Sequence, residues 1–458
     1  MYRENSWKKY NQKQEKEVMA FAEGYKAFLS VAKTERLAVR EAETRLLKAG
    51  FKKAEEVQSV QPGDKVYFIN KNKNVCAFVV GTEPITDGLR ILGAHIDSPR
   101  MDLKEHPIYE RNEFALADTH YYGGIKKYQW VTIPLALHGV VCKKDGTKVE
   151  INIGENENDP VVGISDLLPH LAADQMAKSG ARLIEGEALD ITIGNKPLKE
   201  EDDKWGSAKA NVLKILKDKY GIEEEDLVSA EIEVVPAGKA RDYGLDRSMV
   251  AGYGHDDRCC AYTSLMALIK AKKIQHTACC ILVDKEEIGS VGATGAQSRF
   301  FENAIAKLLE LAGEKDVLWK ARLAMENSKM LSSDVSAGFD PLFPGVSDPN
   351  NSAYLAYGLV FNKYTGSRGK SGSNDANPEY YAWVRKVMDD AKVNWHNAEL
   401  GKVDQGGGGT IAYILGNYNM NVIDAGIPVL NMHAPQEIVS KADLFEAYKG
   451  YIAFLSAK

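Results

Sequence analysis

Five short stretches of the sequence end an apolar run in a histidine or an acid. They are RILGAHIDSPR with His95 and Asp97, VAGYGHDDR with Asp256 and Asp257, CCILVDKEEIG with Glu286 and Glu287, KMLSSDVS with Asp334, and VLNMHAPQE with His433. Each stretch alone has an ordinary structural explanation, because aspartate pairs often cap helices or form turns and adjacent glutamates often lie on a solvated surface. Five such stretches in one chain indicate a shared site.

The types of these residues point to metal chemistry. If one sheet brings the five stretches together, two imidazoles and several carboxylates share a cleft. Closely packed carboxylates cannot all stay ionised without a compensating cation, and two divalent ions about 3.5–4 Å apart supply that compensation. Imidazole and carboxylate without thiolate suit a catalytic site for Zn²⁺, Mn²⁺ or Co²⁺. A set of separate structural residues is the alternative that residue type and periodicity leave open.

The elements that must position these residues alternate between strands and helices. Residues 13–49 predict two amphipathic helices, and the strands KVYFI, VCAFVVG and GLRILGAHIDSP follow. After residue 242 we expect helices in 257–273, 296–312, 378–392 and 440–456, and strands at 277–284, 329–335, 357–364 and 420–424. This order predicts an α/β fold, with a central mixed sheet flanked by helices and with ligands beyond the carboxyl ends of its strands.

Residues 104–241 have a different texture. WVTIPLALHGVV, KVEINIG, LDITIG and SAEIEVV alternate like strands, and charged loop-like stretches such as GENENDP separate them. We therefore expect residues 1–103 and 242–458 to form one domain, interrupted by a β-rich insertion at 104–241.

Composition excludes several classes of protein. The chain has 458 residues and a formal net charge of -6, which gives no reason to expect nucleic acid or an anionic membrane as a partner. No apolar stretch approaches the roughly 18–20 residues needed to span a bilayer. The N-terminal sequence lacks the apolar core of a signal peptide, so we expect a cytoplasmic protein. The six cysteines include no C-x-x-C pair, and we expect reduced thiols.

The chain resembles the M18 metalloaminopeptidases, the group of aspartyl aminopeptidase and vacuolar aminopeptidase I. The matching stretches are GAHIDSPR, GYGHDDRCCAYTSL, DKEEIGSVGATGAQSRFFE, SSDVSAGFDP, GGGGTIAYIL and GIPVLNMHAPQEIVSKADLFEAYKGYIAF. They occur in the family's order over nearly the full length. The sequence GHDDRCCAYTSL is more similar to the vacuolar aminopeptidase I branch than to the mammalian aspartyl aminopeptidases.

The resemblance implies a dimetal aminopeptidase fold and a pair of divalent metal ions in each subunit, most often zinc. Asp256 would bridge the ions, His95 and Asp334 would complete one of them, and Glu287 and His433 the other. Glu286 would be the general base, and Asp97 would hold the His95 imidazole. His255 stands where aspartyl aminopeptidases have an apolar residue. We leave it out of the ligand set because neighbours on a strand point to opposite faces.

The resemblance also implies residues that meet the substrate. The loop QGGGG would line the substrate cleft at Gly408, with a flexible turn as the alternative, and Asp404 would hold that loop or the substrate amine. Lys363 aligns with a lysine proposed to meet acidic side chains, and a solvated lysine is the alternative. His170 resembles a histidine that reaches the active site of a neighbouring subunit, and a structural histidine is its alternative.

The implied activity is removal of the first residue from short peptides, with an acidic or a neutral residue preferred. The insertion would mediate dimers, six of which would form a dodecamer. Two other functions remain open: a related dimetal carboxypeptidase or deacetylase, and a non-catalytic scaffold. Neither Zn²⁺, Mn²⁺ nor Co²⁺ is selected by the residues alone.

Overall fold

The computed structural model describes residues 4–199, 205–272 and 274–458. The chain divides into two compact units. The larger unit comprises Met1–Asp97, Ala240–Met432 and Glu437–Lys458, and the smaller unit comprises Ser98–Lys239 and His433–Gln436. The predicted division into a catalytic domain and an oligomerisation domain at 104–241 stays a prediction.

A nine-stranded mixed sheet forms the centre of the larger unit. In spatial order its strands are β1 (Lys52–Lys53), β2 (Lys65–Asn70), β3 (Asn74–Val79), β13 (Ala278–Val283), β4 (Arg90–His95), β14 (Lys329–Ser332), β20 (Asn421–Gly426), β16 (Leu359–Asn362) and β18 (Trp395–Asn397). The four strands β13, β4, β14 and β20 run parallel. Their register aligns Val283 with His95 and Ser332 with Asp424, so their carboxyl ends share one edge.

Both faces of this sheet are buried. In β13, Ala278, Cys280 and Leu282 pack into one apolar cluster, whereas Cys279, Ile281 and Val283 pack into another. Alternate side chains of a strand point to opposite faces, and this explains why the strand reads as a continuous apolar run. The predicted mixed α/β fold is confirmed.

Helices cover the sheet of the larger unit. They are α1 (Gln12–Val31), α2 (Glu35–Lys48), α5 (His255–Lys270), α6 (Phe300–Leu311), α7 (Val317–Glu326), α8 (Pro378–Asp390), α9 (Ala412–Gly416) and α10 (Lys441–Ser456). Sequence signals fix several of their starts. Asn11 and Gln14 form a reciprocal capping box on α1, and Thr34 caps α2.

Two further sheets belong to the larger unit. One joins β11 (Arg241–Tyr243), β12 (Met249–Gly252), β22 (Glu437–Ser440), β21 (Pro428–Leu430) and β15 (Ser336–Ala337). The other pairs β17 (Gly366–Ser367) with β19 (Gly407–Gly408).

The smaller unit contains a six-stranded antiparallel sheet. Its spatial order is β8 (Lys148–Ile153), β7 (Leu135–Cys142), β10 (Ala230–Pro236), β5 (Arg100–Arg111), β6 (Phe114–Tyr122) and β9 (Ile191–Gly194). Two helices, α3 (Ala173–Met176) and α4 (Ala208–Tyr220), accompany it. The expected strands are therefore present. The helices α4 in this unit and α7 in the larger one were not predicted from the sequence.

Two further expectations from the sequence concern the cysteines and membrane-spanning segments. All six cysteines are free, and five of them are buried. Within the described residues, the structure contains no helix with both the length and the apolar character needed to span a membrane.

Candidate metal centre

His95 occupies the last position of β4, at the edge where the parallel strands end. Its side chain is 2% exposed. The Nε2 atom lies 3.1 Å from Oδ1 of Asp256, 3.9 Å from Oδ1 of Asp334 and 4.0 Å from Oε2 of Glu286. On the other side of the ring, Nδ1 lies 3.1 Å from the backbone oxygen and 3.3 Å from Oδ1 of Asp97. One imidazole therefore contacts carboxylates from four different parts of the larger unit.

Asp256 lies in the first turn of α5, and the peptide bond between Asp256 and Asp257 is cis. The backbone N–H of Asp256 donates a hydrogen bond to Oε2 of Glu437, at 3.1 Å. This bond ties the start of the helix to β22. It fixes the direction from which the Asp256 carboxylate approaches His95.

Asp334 follows β14 by two residues. Its backbone oxygen approaches Gly426 so closely that a Cβ atom added to that glycine would lie 1.6 Å away. Any other residue at 426 would push the Asp334 backbone off the sheet edge. The close approach explains a glycine in the last position of β20.

Glu286 and Glu287 lie in a short turn directly after β13. Their backbone N–H groups donate to the two carboxylate oxygens of Asp97, each at 3.2 Å. The same carboxylate contacts the His95 ring. Asp97 thus connects the imidazole to the turn that carries both glutamates.

The charges of this site do not balance within the larger unit. Burial raises the pKa of Asp334 well above its usual range, His95 opposes that rise, and the neighbouring Glu286 and Asp256 add to it. Burial alone would lower the pKa of His95, but its hydrogen bonds to Asp256 and Asp97 raise it well above the usual value. A divalent cation relieves such an excess of negative charge.

The spacing of the side chains also fits metal ions. One ligand atom each from His95, Asp256 and Asp334 lie within 4.8 Å of one another, and oxygens of Asp256 and Glu287 lie within the same limit. Two ligands bound to zinc at about 2.0–2.1 Å and tetrahedral angles are separated by roughly 3.3–3.4 Å. The observed 3.1 and 3.9 Å lie on either side of that value. Asp256 belongs to both groups, as a bridging carboxylate would.

Comparison with known proteins identifies the family. Residues 28–455 match the family model described as aminopeptidase I zinc metalloprotease, M18. The chain belongs to the M18 family. A crystal structure of an M18 aminopeptidase from Thermotoga maritima is 46% identical, covers 100% of this chain and 99% of that one, and superimposes with a TM-score of 0.95. Aminopeptidase I from Clostridium acetobutylicum is 55% identical, with 99% of each chain covered and a TM-score of 0.91.

A more distant likeness concerns fold alone. The mApe1 dodecamer of S. cerevisiae is 20% identical, covers 95% of this chain and 96% of that one, and has a TM-score of 0.76. Family membership makes the protein an aminopeptidase and a metallopeptidase. The predicted family and enzyme class are confirmed.

His433, a predicted ligand of this M18 chain, belongs to the four-residue segment grouped with the smaller unit. The residues on either side of this segment, Met432 and Glu437, belong to the larger unit. The backbone is left-handed at His433, with φ of 65°. The ring Nδ1 lies 2.7 Å from the backbone oxygen of Gly124. Because Nδ1–H donates to a carbonyl, Nε2 is the nitrogen available to a metal.

His255 does not lie on a strand, contrary to the reason given for excluding it. Gly254 adopts a left-handed φ of 79° and α5 begins at His255 itself. The His255 ring is fully buried, with Nδ1 2.6 Å from the Tyr25 hydroxyl. Burial lowers its pKa to about 3, so the ring is neutral. The contact with Tyr25 gives this histidine a role in packing.

The residues predicted to bind the substrate of this M18 chain lie in elements other than those that carry the proposed metal ligands. Gly408 pairs with Gly366 in the short β17–β19 ladder. Asp404 is exposed, and the Lys363 ammonium lies 3.3 Å from Oδ1 of Asp375. His170 is exposed in a 3₁₀ turn of the smaller unit. A cavity of about 340 Å³ is lined by residues 364–366, 368–370, 399–403 and 406–407, and its lining includes neither Asp404 nor the proposed metal ligands.

The sequence analysis missed three acids that support this M18 site: Glu437, Asp284 and Asp424. Asp284 accepts hydrogen bonds from the backbone N–H of Lys285 at 2.8 Å and from the hydroxyl of Thr294 at 2.6 Å. Asp424 accepts from the hydroxyl of Thr410 at 2.7 Å. Asp284 and Asp424 each stand at the end of an apolar run, in VD and VID, so the pattern applied elsewhere would have found both.

Proposed function

We propose that this M18 protein is a dimetal aminopeptidase that removes the first residue from short peptides and uses Glu286 as its general base. One observation carries the proposal. The imidazole of His95 lies against Asp256 and Asp334, an oxygen of Asp256 lies near one of Glu287, and the Glu286 carboxylate lies 4.0 Å from the same imidazole. The proposed base and four of the five proposed ligands therefore lie close together within the larger unit.

Five side chains would hold the two ions. Asp256 would bridge them, with His95 and Asp334 on one ion and Glu287 and His433 on the other. Zinc is the ion named in the family's description, and Mn²⁺ or Co²⁺ suit the same ligands. When bound, the two ions would supply Lewis acidity that acidifies water and polarises the scissile carbonyl.

Two of the protein's own residues would then transfer the proton and keep the site aligned. The Glu286 carboxylate takes a proton from the attacking water and gives it to the leaving amine, which needs a base within about 3 Å of that water. Asp97 keeps the turn of Glu286 and the ring of His95 in a fixed relation, so the proton acceptor and the ligand set stay aligned. Side chains that ligate metals usually depend on such a partner.

The substrate residues and the assembly form the second part of the proposal. Gly408, Asp404 and Lys363 would line the substrate cleft, and His170 would reach the site of a neighbouring subunit. The solved mApe1 of S. cerevisiae is a dodecamer. We propose that this chain also forms dimers that assemble into a dodecamer. A cytoplasmic location completes the proposal.

The test separates the two adjacent glutamates. Glu286→Gln should lower kcat by about 10²–10⁴-fold and leave about two metal ions per chain, because the base is not a ligand. Glu287→Gln should lose activity together with bound metal. Metal content is measured by atomic emission after gel filtration, and activity with a free peptide and its N-acetylated copy.

Glu326→Gln is the matched control, because Glu326 is an exposed glutamate on α7. It should change neither quantity. Retained activity in Glu286→Gln would refute its role as base. Equal hydrolysis of the N-acetylated copy would refute aminopeptidase action and favour a carboxypeptidase or deacetylase.

A further inference from the structure

Arg90 carries a buried guanidinium that has no counter-charge among the described residues. It is the first residue of β4 and is 2% exposed. Its Nε and Nη1 atoms are buried and make no hydrogen bond. Burial lowers the pKa of Arg90 to about 10, so the group is still charged at neutral pH.

Two more basic side chains lie beside it. Lys329, the first residue of β14, is the direct neighbour of Arg90 in the parallel register. The ring of Trp383 lies 5.4 Å from the Arg90 guanidinium and 5.4 Å from the Lys329 ammonium. His276, just before β13, donates a hydrogen bond from Nδ1 to the backbone oxygen of Gly88 at 3.1 Å, and burial and the two cations lower its pKa.

No carboxylate among the described residues pairs with this cluster. Arg90 and Lys329 take part in no ion pair within residues 4–199, 205–272 and 274–458. Burial and the charge of Arg90 lower the pKa of Lys329, as expected for two cations that repel each other. Glu83, an exposed residue, is the acid that acts on His276. Stacking on Trp383 compensates a guanidinium only in part.

A buried charge without a partner is costly, and proteins commonly satisfy it with an ion pair. Here the missing partner is an anion. We infer that Arg90 and Lys329 form a binding site for a small oxyanion, a phosphate or carboxylate group, at the amino-terminal edge of the central sheet. Lys329, His276 and Trp383 are partly exposed, so the ligand reaches the cluster from solvent.

The site is separate from the candidate metal centre. Arg90 and His95 are the two ends of the six-residue strand β4. Five steps of about 3.3 Å place them roughly 16 Å apart. An anion at Arg90 would therefore neither ligate the metals nor contact the scissile bond. It would tie together the starts of β4 and β14, whose other ends lead to His95 and Asp334.

Thermal unfolding of the metal-loaded enzyme in inorganic phosphate tests the site. Sodium chloride holds the ionic strength constant, and acetate replaces phosphate in a second arm. We expect a saturable rise in Tm, because a ligand that binds only the folded state stabilises it. Lys329→Met should raise the half-saturating concentration about tenfold, since one charge-assisted contact is lost. Saturation by phosphate or by acetate identifies the group that the site prefers.

Two variants control the result. Lys16→Met removes an exposed lysine of α1 and should leave the half-saturating concentration unchanged. Arg90→Gln should abolish saturation, and Lys329→Met keeps the test valid if Arg90→Gln does not fold. A rise in Tm that never saturates, or that is the same in wild type and Lys329→Met, would overturn the site. Phosphate bound at the metal centre would give that second result, together with inhibition.

Discussion

Asp97 is the residue whose loss should disturb the proposed base and the proposed metal ligands together. Its two carboxylate oxygens accept the backbone N–H groups of Glu286 and Glu287, and Oδ1 also faces Nδ1 of His95 at 3.3 Å. Asp97→Asn preserves the size of the side chain. The amide, however, has one acceptor oxygen, so its NH₂ group must face either a backbone N–H or the imidazole.

The expected loss follows from these contacts. One charge-assisted hydrogen bond contributes about 1.5–3 kcal/mol, and each 1.4 kcal/mol corresponds to about tenfold. Since Asp97 orients both the proposed base and a proposed ligand, we expect kcat/KM to fall by about 10–100-fold, mostly through kcat. Partners of metal ligands have effects of the same order on metal affinity.

The assay measures steady-state kinetics and the metal dissociation constant of the same preparation. Asp348→Asn is the matched control, because Asp348 also accepts two N–H groups, from Asn350 and Asn351, but on an exposed turn. Wild-type kcat/KM and metal affinity in Asp97→Asn would refute the reasoning. A loss of stability with unchanged kinetics would reduce Asp97 to a structural residue.

Two further predictions concern polar contacts of residues other than the proposed metal ligands. Asp242 pairs with Lys26 at 2.6 Å and with the fully buried Lys441 at 2.8 Å; burial would raise its pKa, but the two lysines lower it from 3.8 to about 2. An acid whose pKa is lower in the folded than in the unfolded state stabilises the fold at pH values above its unfolded pKa. Asp242→Asn should therefore lower the free energy of unfolding, measured in urea at pH 7, by about 2 kcal/mol. That difference should shrink as the pH falls from about 4 toward 2; a constant difference would contradict the linkage. Thr410 lies beside the QGGGG loop in sequence, and Thr410→Val removes its hydrogen bond to Asp424. This change should raise KM several-fold with unchanged metal content, while Thr410→Ser keeps the wild-type KM. Equal KM values in the Val and Ser variants would show that this bond does not affect substrate binding.

The predicted fold followed from patterns that are local in sequence. Apolar runs gave the central strands, and the three-and-four spacing of apolar residues gave α1, α2 and α10, because burial on one or both faces determines these patterns. The helix α4 was missed since only Ala208 among its residues is buried. Its apolar face, which includes Val212, Leu213 and Leu216, is only partly buried against the sheet of the smaller unit. Exact ends also differed, as for α6, which begins at Phe300 rather than at 296.

The site was predictable as a set of residues but not as a set of contacts. Strand-end acids and histidines are visible in the sequence, whereas the bond from the Asp256 amide to Glu437 joins residues 181 positions apart. The two bonds from Asp97 to the glutamate turn likewise depend on the register of β4 against β13. Roles of the individual residues stay predictions.

The turn after β13 shows why two adjacent glutamates need support from several sides. Lys285, which precedes them, has a left-handed φ of 68°, and a non-glycine residue in that region costs of order 1 kcal/mol. Asp284 closes the turn by binding the Lys285 amide and the Thr294 hydroxyl, and Asp97 binds both glutamate amides. Neighbouring carboxylates can take different roles only if the backbone holds them in different directions. The strained residue and the two buried aspartates supply that constraint, so a change in either aspartate should impair the proposed base and the proposed ligand together.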